Sequence, residues 1–307
     1  MSPPHLVIVG PTGSGKSALA IDIAESLRER RGEVVEIISV DSMQVYRRMD
    51  IGTATPGADE LGRVRHHLVN CLEPSDEGSV AWFQHEAATV RADLESRDGR
   101  ALFVGGTGLY HRSVVDGLAI PGQYPEVAAT IDDPTVATEQ LHERLAALDL
   151  DAAQKMESTN RRRVLRALEV TIGSGRPFST FGPGLEHYPE SAMRMIGLSV
   201  PRDRLGPLLR ARIDDQLARG FVAEVATLLA ERPALSRTAR QALGYRELIE
   251  HLEGRASLDE AVELIAVRTR QFAVRQDRWF RRDPRIVWFD AETVTAEAVL
   301  AGTLEAT

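Results

Sequence analysis

The segment Gly10-Pro11-Thr12-Gly13-Ser14-Gly15-Lys16-Ser17 constrains this chain more than any other. The apolar run at residues 5–9 predicts a buried strand before it, and apolar residues at helical spacing over 18–25 predict a helix after it. Strand, glycine-rich turn and helix in this order form the P-loop arrangement, whose backbone N–H groups and helix N-terminus surround an anion. We therefore predict a di- or triphosphate site, with the Lys16 ammonium as a mobile charge and the Ser17 hydroxyl as a ligand for Mg²⁺.

Lysine usage supports this interpretation. The chain has 37 lysines and arginines, but only Lys16 and Lys155 are lysines. Lysine is a flexible point charge, whereas arginine is a planar fork. A lysine at this position of an arginine-biased chain therefore indicates phosphate chemistry.

The remaining composition bounds the class of protein. Hydrophobic residues make up 43% and charged residues 27% of 307 residues, which is typical of a soluble globular chain. No run of about 18 apolar residues is present, so we expect no membrane span. The first residues lead directly into the predicted strand, which leaves no room for a signal peptide, and the single cysteine, Cys71, excludes an internal disulfide and a cysteine-based zinc site. We expect a cytoplasmic monomer.

The charge distribution leaves the question of a nucleic-acid partner open. The formal net charge of −8 alone argues against such a partner, but arginines cluster at residues 161–166, 202–212 and 268–285. One such cluster is typical of a solvated helix face with ion pairs. Three clusters in one half of the chain favour a surface that binds a polyanion.

Apolar strands alternating with amphipathic helices predict an α/β fold, a P-loop NTPase-like parallel sheet with helices on both faces. We predict strands at residues 33–40, 66–70, 101–105, 193–200 and 285–289, followed by a polar tail. The main helices are expected at 79–97, 202–218, 220–231, 237–253 and 257–280, and a loop at 49–56. Residues 118–190 lack a buried strand and contain helices at 134–148 and 161–172, so we predict a small helical insertion domain there, within a core domain of residues 1–117 and 191–307.

Two further residues follow strands of this sheet. Asp41 comes after the strand at 33–40, and Thr107 after the strand at 101–105. Because parallel strands place their ligands at their carboxyl ends, the P-loop, Asp41 and Thr107 should share one crevice. Asp41 is equally compatible with a helix N-cap. The strand at 101–105 ends in glycine and threonine instead of the aspartate that holds Mg²⁺ in NTPases, which weighs against ATP hydrolysis.

Six segments together resemble the bacterial tRNA dimethylallyltransferases, also called tRNA isopentenyltransferases. They are residues 10–17, 39–46, 50–56, 104–110, 166–169 and 241–246, in this order. Members of that family transfer the dimethylallyl group of dimethylallyl diphosphate to the exocyclic N6 amine of the tRNA adenosine 3′-adjacent to the anticodon, and release diphosphate. The resemblance implies the same enzymatic activity for this chain, with tRNA and dimethylallyl diphosphate as its partners.

The resemblance also implies roles for individual residues. Asp41 would accept the proton of the adenine amine, and Thr107 would be a further active-site contact. The P-loop, Arg212 and a Mg²⁺ near Ser17 would bind the diphosphate. Contacts to tRNA are implied for Asp41, Ser42, Met43, Gln44, Arg162, Arg163, Arg166, Gln241, Gly244, Tyr245 and Arg246. The insertion domain would hold the anticodon stem-loop.

The chain departs from the family at two places. Val274 and Asp277 stand where family members often have basic or polar residues, and the zinc finger of the eukaryotic relatives is absent. Three other functions remain compatible with the motifs: a P-loop kinase of a small metabolite, prenylation of free AMP, and an RNA-binding module with a degenerate nucleotide site. The arginine clusters and the insertion favour tRNA over AMP, and the intact Lys16, Ser17, Asp41 and Thr107 argue against the degenerate site.

Overall fold

The computed structural model describes residues 4–304, in which the chain divides into two compact units. The core unit comprises the residues up to Asp116 and those from Glu190 onward, and the second unit spans Gly117–Pro189. Among the helices of residues 4–304, none is both long enough and apolar enough to cross a membrane.

Six parallel strands form the sheet of the core unit. They are β1 (Leu6–Val9), β2 (Val35–Ser39), β3 (His66–His67), β4 (Arg100–Gly105), β5 (Arg194–Ser199) and β6 (Ile286–Asp290). Their order is β3-β2-β4-β1-β5-β6, and every neighbouring pair is parallel. The predicted fold class is therefore confirmed. Strand β4 lies between β2 and β1, so the segments that follow these three strands emerge side by side.

Fifteen α-helices occur in the described residues. They are α1 (Lys16–Arg31), α2 (Asp50–Thr53), α3 (Ala58–Arg63), α4 (Val80–Ser96), α5 (Gly108–Val115), α6 (Pro125–Ile131), α7 (Thr138–Leu148), α8 (Leu150–Gln154), α9 (Arg161–Ser174), α10 (Arg202–Ala218), α11 (Phe221–Ala230), α12 (Arg237–Arg240), α13 (Tyr245–Leu252), α14 (Leu258–Phe280) and α15 (Ala296–Leu304).

Helices cover both faces of the sheet. Because successive strand residues point to opposite faces, Leu6 and Ile8 of β1 pack with α1 and α15, whereas Val7 and Val9 pack with α4. All four of these β1 residues are fully buried. This two-sided burial explains why the strand is a continuous apolar run.

A third apolar cluster holds the segment that follows β2. Val45, Tyr46 and Met49 are buried against α10, α11, α13 and α14. Glu224 of α11 accepts hydrogen bonds from the backbone N–H groups of Asp50 at 3.0 Å and Ile51 at 2.8 Å. The carboxylate therefore satisfies the free N–H groups at the start of α2, where a polar loop was predicted.

Two other expectations from the sequence were wrong. The helix predicted over 237–253 is divided into α12 and α13, because Gly244 adopts a φ of 88°, outside the helical region. The predicted polar tail contains α15, whose Ala296, Val299 and Leu300 are buried against α1. Their helical spacing was a usable signal for this element.

Helices are the only regular elements in the described residues of the second unit. Helices α6, α7, α8 and α9 surround an apolar cluster that includes Ile131, Leu145 and Leu168, and a 3-10 helix follows at Phe178–Phe181. The helix predicted from residue 134 begins only at Thr138. Asp133 instead stabilises a turn, since its side chain accepts the backbone N–H of Thr135 at 2.8 Å.

Gly105 permits the close approach of β2 and β4 at their carboxyl ends, and we predict that Gly105→Ala is strongly destabilising. A Cβ at this position would overlap the backbone carbonyl of Val40. Because backbone atoms cannot rotate away, the substitution should lower the free energy of unfolding by about 3 kcal/mol, measured by urea denaturation. Gly62→Ala is the control: Gly62 lies in α3 with open space around it, so it should be neutral or slightly stabilising. Equal stability of both variants would contradict the packing argument.

Candidate active site

The P-loop joins β1 to α1 and depends on its glycines. Gly13 and Gly15 have φ values of 81° and 77°, in the left-handed region that favours glycine. A Cβ on Gly10 would lie 2.7 Å from the carbonyl oxygen of Leu198, so the neighbouring strand β5 also requires glycine there. With Gly15 as its N-cap, α1 begins at Lys16 and directs its free N–H groups into the loop.

Lys16 lies close to a second cation and a carboxylate. Its ammonium donates a hydrogen bond to the carbonyl of Pro11 at 2.7 Å. Burial, together with the nearby Arg212 guanidinium, lowers the pKa of Lys16 to about 7, against the opposing effect of Asp41. Burial also lowers the pKa of Arg212, again opposed by Asp41. Two poorly hydrated cations and one carboxylate are thus brought together, as an anion-binding site requires.

Asp41 and Thr107 are linked by backbone hydrogen bonds. Oδ1 of Asp41 accepts the N–H groups of Met43 at 2.8 Å and Gln44 at 3.4 Å, so the carboxylate caps a turn and no helix starts there. Oγ1 of Thr107 accepts the N–H of Ser42 at 3.2 Å. Among residues 4–304, no hydrogen bond reaches Oδ2 of Asp41. The capping function and a free carboxylate oxygen therefore coexist in one side chain.

Helix α5 contributes two aromatic side chains behind this carboxylate. Burial, with the Tyr46 phenol and the Asp41 carboxylate nearby, raises the pKa of Tyr110 to about 12, which keeps its phenol protonated. Burial lowers the pKa of His111 to about 3, so its imidazole is neutral. Its Nε2 donates to the carbonyl of Gly105 at 3.1 Å. No role was predicted for His111, which lies three residues after Gly108.

Gln276 of α14 was also missed. Its Oε1 accepts the N–H of Thr12 in the P-loop, and its Nε2 donates to the carbonyl of Gly106, both at 2.9 Å. Gln276 lies three residues after buried Ala273 and four before buried Phe280, on one helix face. A polar residue at that spacing within an apolar face was the signal that could have identified it.

The predicted RNA contacts near Asp41 differ in their exposure and in their hydrogen bonds. Ser42 and Met43 are partly exposed. The Gln44 amide makes internal hydrogen bonds at both ends: it accepts from the Ser39 hydroxyl at 2.7 Å and donates to the carbonyl of Ala54 at 3.0 Å. Its side chain therefore fixes the segment that ends at Ala54.

The predicted contacts at residues 241–246 also differ in exposure. Gln241 and Arg246 are exposed, whereas Gly244 is buried beside the Phe221 ring. The Tyr245 side chain has no exposed surface, and its hydroxyl donates to Glu224 at 2.6 Å. The expectation of an RNA contact by Tyr245 is therefore corrected: the side chain packs against Phe221 and positions Glu224.

Three arginines of α9 were predicted to contact RNA. Arg166 donates to Glu169 at 2.8 Å and to the carbonyl of Pro121 at 2.9 Å, so its guanidinium holds the chain segment before α6. Arg162 and Arg163 are exposed, and neither has an ion-pair partner within residues 4–304. Two of the three cations are thus available to a ligand.

Within the described residues, few side chains could bind a metal ion. The Ser17 hydroxyl is exposed in the first turn of α1. In the part of the chain that the structure describes, no group of three or more His, Cys, Asp or Glu side chains could hold a metal ion. A metal bound at Ser17 would need most of its ligands from an anionic substrate and water.

Comparison with known families gives two matches. Residues 44–283 match the IPP transferase family, and residues 5–81 match the isopentenyl transferase family. Among curated relatives, a tRNA dimethylallyltransferase of Kineococcus radiotolerans is 41% identical over 94% of this chain and 91% of its own length. One from Geobacter metallireducens is 42% identical, over 93% and 92% of the two chains.

Solved structures give the same assignment. A tRNA delta(2)-isopentenylpyrophosphate transferase from Staphylococcus epidermidis is 30% identical, with a TM-score of 0.68 over 98% of this chain and 97% of that one. A eukaryotic dimethylallyltransferase described as acting on tRNA is 25% identical, with a TM-score of 0.77 over 97% of this chain and 77% of its own.

We predict that binding of inorganic diphosphate near pH 8 is coupled to protonation of Lys16. With a pKa of about 7 the free ammonium is mostly deprotonated there, and an adjacent anion raises this pKa. Binding should therefore take up as much as about one proton from this group, and affinity should fall as pH rises above about 7. Calorimetry in metal-free buffers of different ionisation enthalpy measures the uptake.

Lys16→Arg is the control for this experiment, because the guanidinium stays protonated and only the proton exchange of diphosphate itself remains. Equal proton uptake by the variant and the natural protein would contradict the assignment to Lys16.

Proposed function

The chain belongs to the tRNA dimethylallyltransferase (IPP transferase) family, and we propose that it transfers the dimethylallyl group of dimethylallyl diphosphate to the exocyclic N6 amine of the tRNA adenosine 3′-adjacent to the anticodon. One spatial relation supports the mechanism: the Asp41 carboxylate lies close enough to Lys16 and Arg212 to oppose the lowering of both pKa values. This relation supports a proton acceptor and an anion site close to each other at the carboxyl edge of the sheet.

The anion site suits the diphosphate of the donor. P-loop N–H groups, Lys16 and Arg212 would bind its oxygens. As the bond between the donor's C1 and its bridging oxygen breaks, negative charge accumulates on the leaving diphosphate. Preorganised donors and cations stabilise this charge more in the transition state than in the bound donor, which accelerates the step.

Mg²⁺ is part of the proposal. The Ser17 hydroxyl fits one position of an oxygen-ligand ion, and diphosphate oxygens and water would supply the others. When bound, the ion would neutralise charge on the leaving diphosphate.

Asp41 is proposed as the general base. An adenine amine is a weak nucleophile, because its lone pair is delocalised into the ring. As its nitrogen bonds to C1 of the donor, the amine proton would pass to Oδ2 of Asp41, the oxygen without a hydrogen bond in the described residues. Thr107 would act beside it, since its hydroxyl already binds the turn that Asp41 caps.

Recognition of tRNA would require the target base to leave its stack, since the amine of a stacked base could not approach Asp41. Arg162 and Arg163 would contact phosphates of the anticodon stem-loop through the second unit. Near Asp41, Ser42 and Met43 would contact the adenosine and its neighbours, and Gln241 and Arg246 are further exposed candidates. We propose a cytoplasmic monomer, in which one chain supplies all the residues assigned to the site.

The decisive experiment offers labelled dimethylallyl diphosphate and undermodified tRNA to the protein without ATP. Label in tRNA with stoichiometric release of diphosphate supports the proposal. A parallel assay replaces tRNA with AMP at equal concentration. More efficient labelling of AMP than of tRNA would favour prenylation of free AMP. Consumption of ATP with a small acceptor would favour a kinase.

We predict that Asp41→Asn lowers kcat by about a hundredfold or more, because the amide keeps the Oδ1 acceptor of the turn but cannot take up the amine proton. Single-turnover assays measure the rate. Affinity for tRNA should stay within about twofold, and affinity for diphosphate should not fall, because the variant removes a negative charge beside the anion site. Asp22→Asn, on the exposed side of α1, should keep full turnover. A nearly unchanged rate in Asp41→Asn would remove Asp41 from the role of base.

We predict that Arg162→Ala weakens tRNA binding and lowers its salt dependence. Loss of one phosphate contact should reduce the slope of log affinity against log salt by about 0.7–0.9. Filter binding at several salt concentrations measures it. Arg28→Ala, an equal loss of charge in the last turn of α1, should leave the slope unchanged. Equal slopes for Arg162→Ala and the natural protein would exclude this phosphate contact.

A further inference from the structure

Gln276 is the one side chain of α14 that hydrogen-bonds to both loops of the anion site. It accepts from the Thr12 N–H in the loop after β1 and donates to the Gly106 carbonyl in the loop after β4. The side chain is 6% exposed, so neither bond competes freely with water. A buried amide with both of its ends paired contributes through geometry as well as energy.

The neighbouring backbone is shaped to receive this amide. A Cβ on Gly106 would overlap the Gln276 amide, and a Cβ on Gly108 would overlap the Trp279 ring. Both glycines of the segment around Thr107 therefore allow α14 to approach. The preceding carbonyl, that of Gly105, is held separately by His111. Two successive carbonyls on the N-terminal side of Thr107 are thus fixed.

The two hydrogen bonds have different consequences for an anion. The Thr12 N–H is engaged by Gln276, which fixes the curvature of the P-loop before a ligand arrives. The Gly106 carbonyl is held toward α14, so its partial negative charge is fixed in direction. Without the amide, each peptide group would keep only the hydrogen bonds at its other end, which are those of the Pro11 carbonyl and of the Thr107 N–H. Both groups would then be held less firmly, and a Gly106 carbonyl tilted toward a diphosphate would repel it.

We propose that Gln276 is a positioning residue that joins the P-loop to the Gly106–Thr107 turn and thereby sets the spacing between the diphosphate cradle and the Asp41–Thr107 pair. This inference rests on the proposed function for its kinetic part, but its effect on diphosphate binding is independent of transfer. It gives α14 a role in the donor site, on the face opposite its exposed arginines.

The test compares Gln276→Met with Gln271→Met. Methionine matches the length of glutamine but forms neither hydrogen bond, and Gln271 is exposed on the same helix. Calorimetry with inorganic diphosphate, without tRNA, measures the affinity of the P-loop site for the anion directly. Steady-state assays give kcat and separate KM values for dimethylallyl diphosphate and tRNA, and thermal unfolding reports folding.

For Gln276→Met we expect diphosphate affinity about tenfold weaker and donor KM about tenfold higher, corresponding to about 1.4 kcal/mol. The KM for tRNA should stay within about twofold, and Gln271→Met should match the natural protein throughout. A folded Gln276→Met with natural diphosphate affinity and donor KM would overturn the proposal. An equal rise in both KM values would overturn it as well, because a general structural defect affects both substrates.

Gln276→Glu keeps the test informative if the methionine variant does not fold. The carboxylate retains the acceptor for Thr12 but lacks the donor for Gly106, and its charge repels both the Gly106 carbonyl and an anion. We therefore expect a loss of diphosphate affinity of about threefold or more. Natural affinity in this variant would also overturn the proposal. If the protein binds diphosphate through Gln276 but labels no RNA, the positioning role stands and the proposed function fails.

Discussion

The rest of the site depends on the incomplete hydration of two neighbouring cations, Lys16 and Arg212. The fall in the pKa of Lys16 from its ordinary value of 10.5 to about 7 corresponds to roughly 5 kcal/mol against the charged ammonium. That is comparable to the entire stability of many domains. Near neutral pH, Lys16 is therefore divided between its charged and neutral forms, and its Nζ donates to the Pro11 carbonyl. In the proposed mechanism an arriving diphosphate would restore the charge, so that ligand binding and charging of the site would be coupled.

Such a site has to be held by the surrounding fold, because its own charges destabilise it. The hydrogen bond from Thr107 N–H to the Val40 carbonyl at 3.3 Å joins the ends of β2 and β4 above Gly105. Gln276 joins β4 to the P-loop in the same way. The three strand ends are therefore fixed by short polar contacts at the sheet edge, while the apolar faces below supply the free energy of folding. Glycine recurs at this edge because the backbones approach closely.

Much of this could be predicted from local sequence. The P-loop has its own motif, and strand alternation with helices implies a parallel sheet, so the convergence of Lys16, Asp41 and Thr107 followed from topology alone. Gln276 could not be found in this way, since 264 residues separate it from Thr12 and no local motif records the contact. Tyr245 was misassigned for a related reason. Its position in a segment typical of the family does not reveal that its hydroxyl is committed to Glu224. Spacing in the sequence identifies which residues lie at the same edge of the sheet. It does not identify which side chains form hydrogen bonds within the protein.

The arginines show the same distinction between charge in the sequence and charge at the surface. Arg268 pairs with Glu247, which is 2% exposed, and Arg285 pairs with Asp116 and Asp283 at 2.6 Å each. These guanidinium groups neutralise buried carboxylates, since leaving such a carboxylate unpaired costs several kcal/mol. They are therefore committed to folding and add little to the field that a polyanion meets. An acidic chain can still bind RNA, because only the unpaired cations, such as Arg162 and Arg163, determine the local potential. The net charge of −8 and a tRNA substrate are thus compatible, as long as the acidic residues lie elsewhere or are already paired.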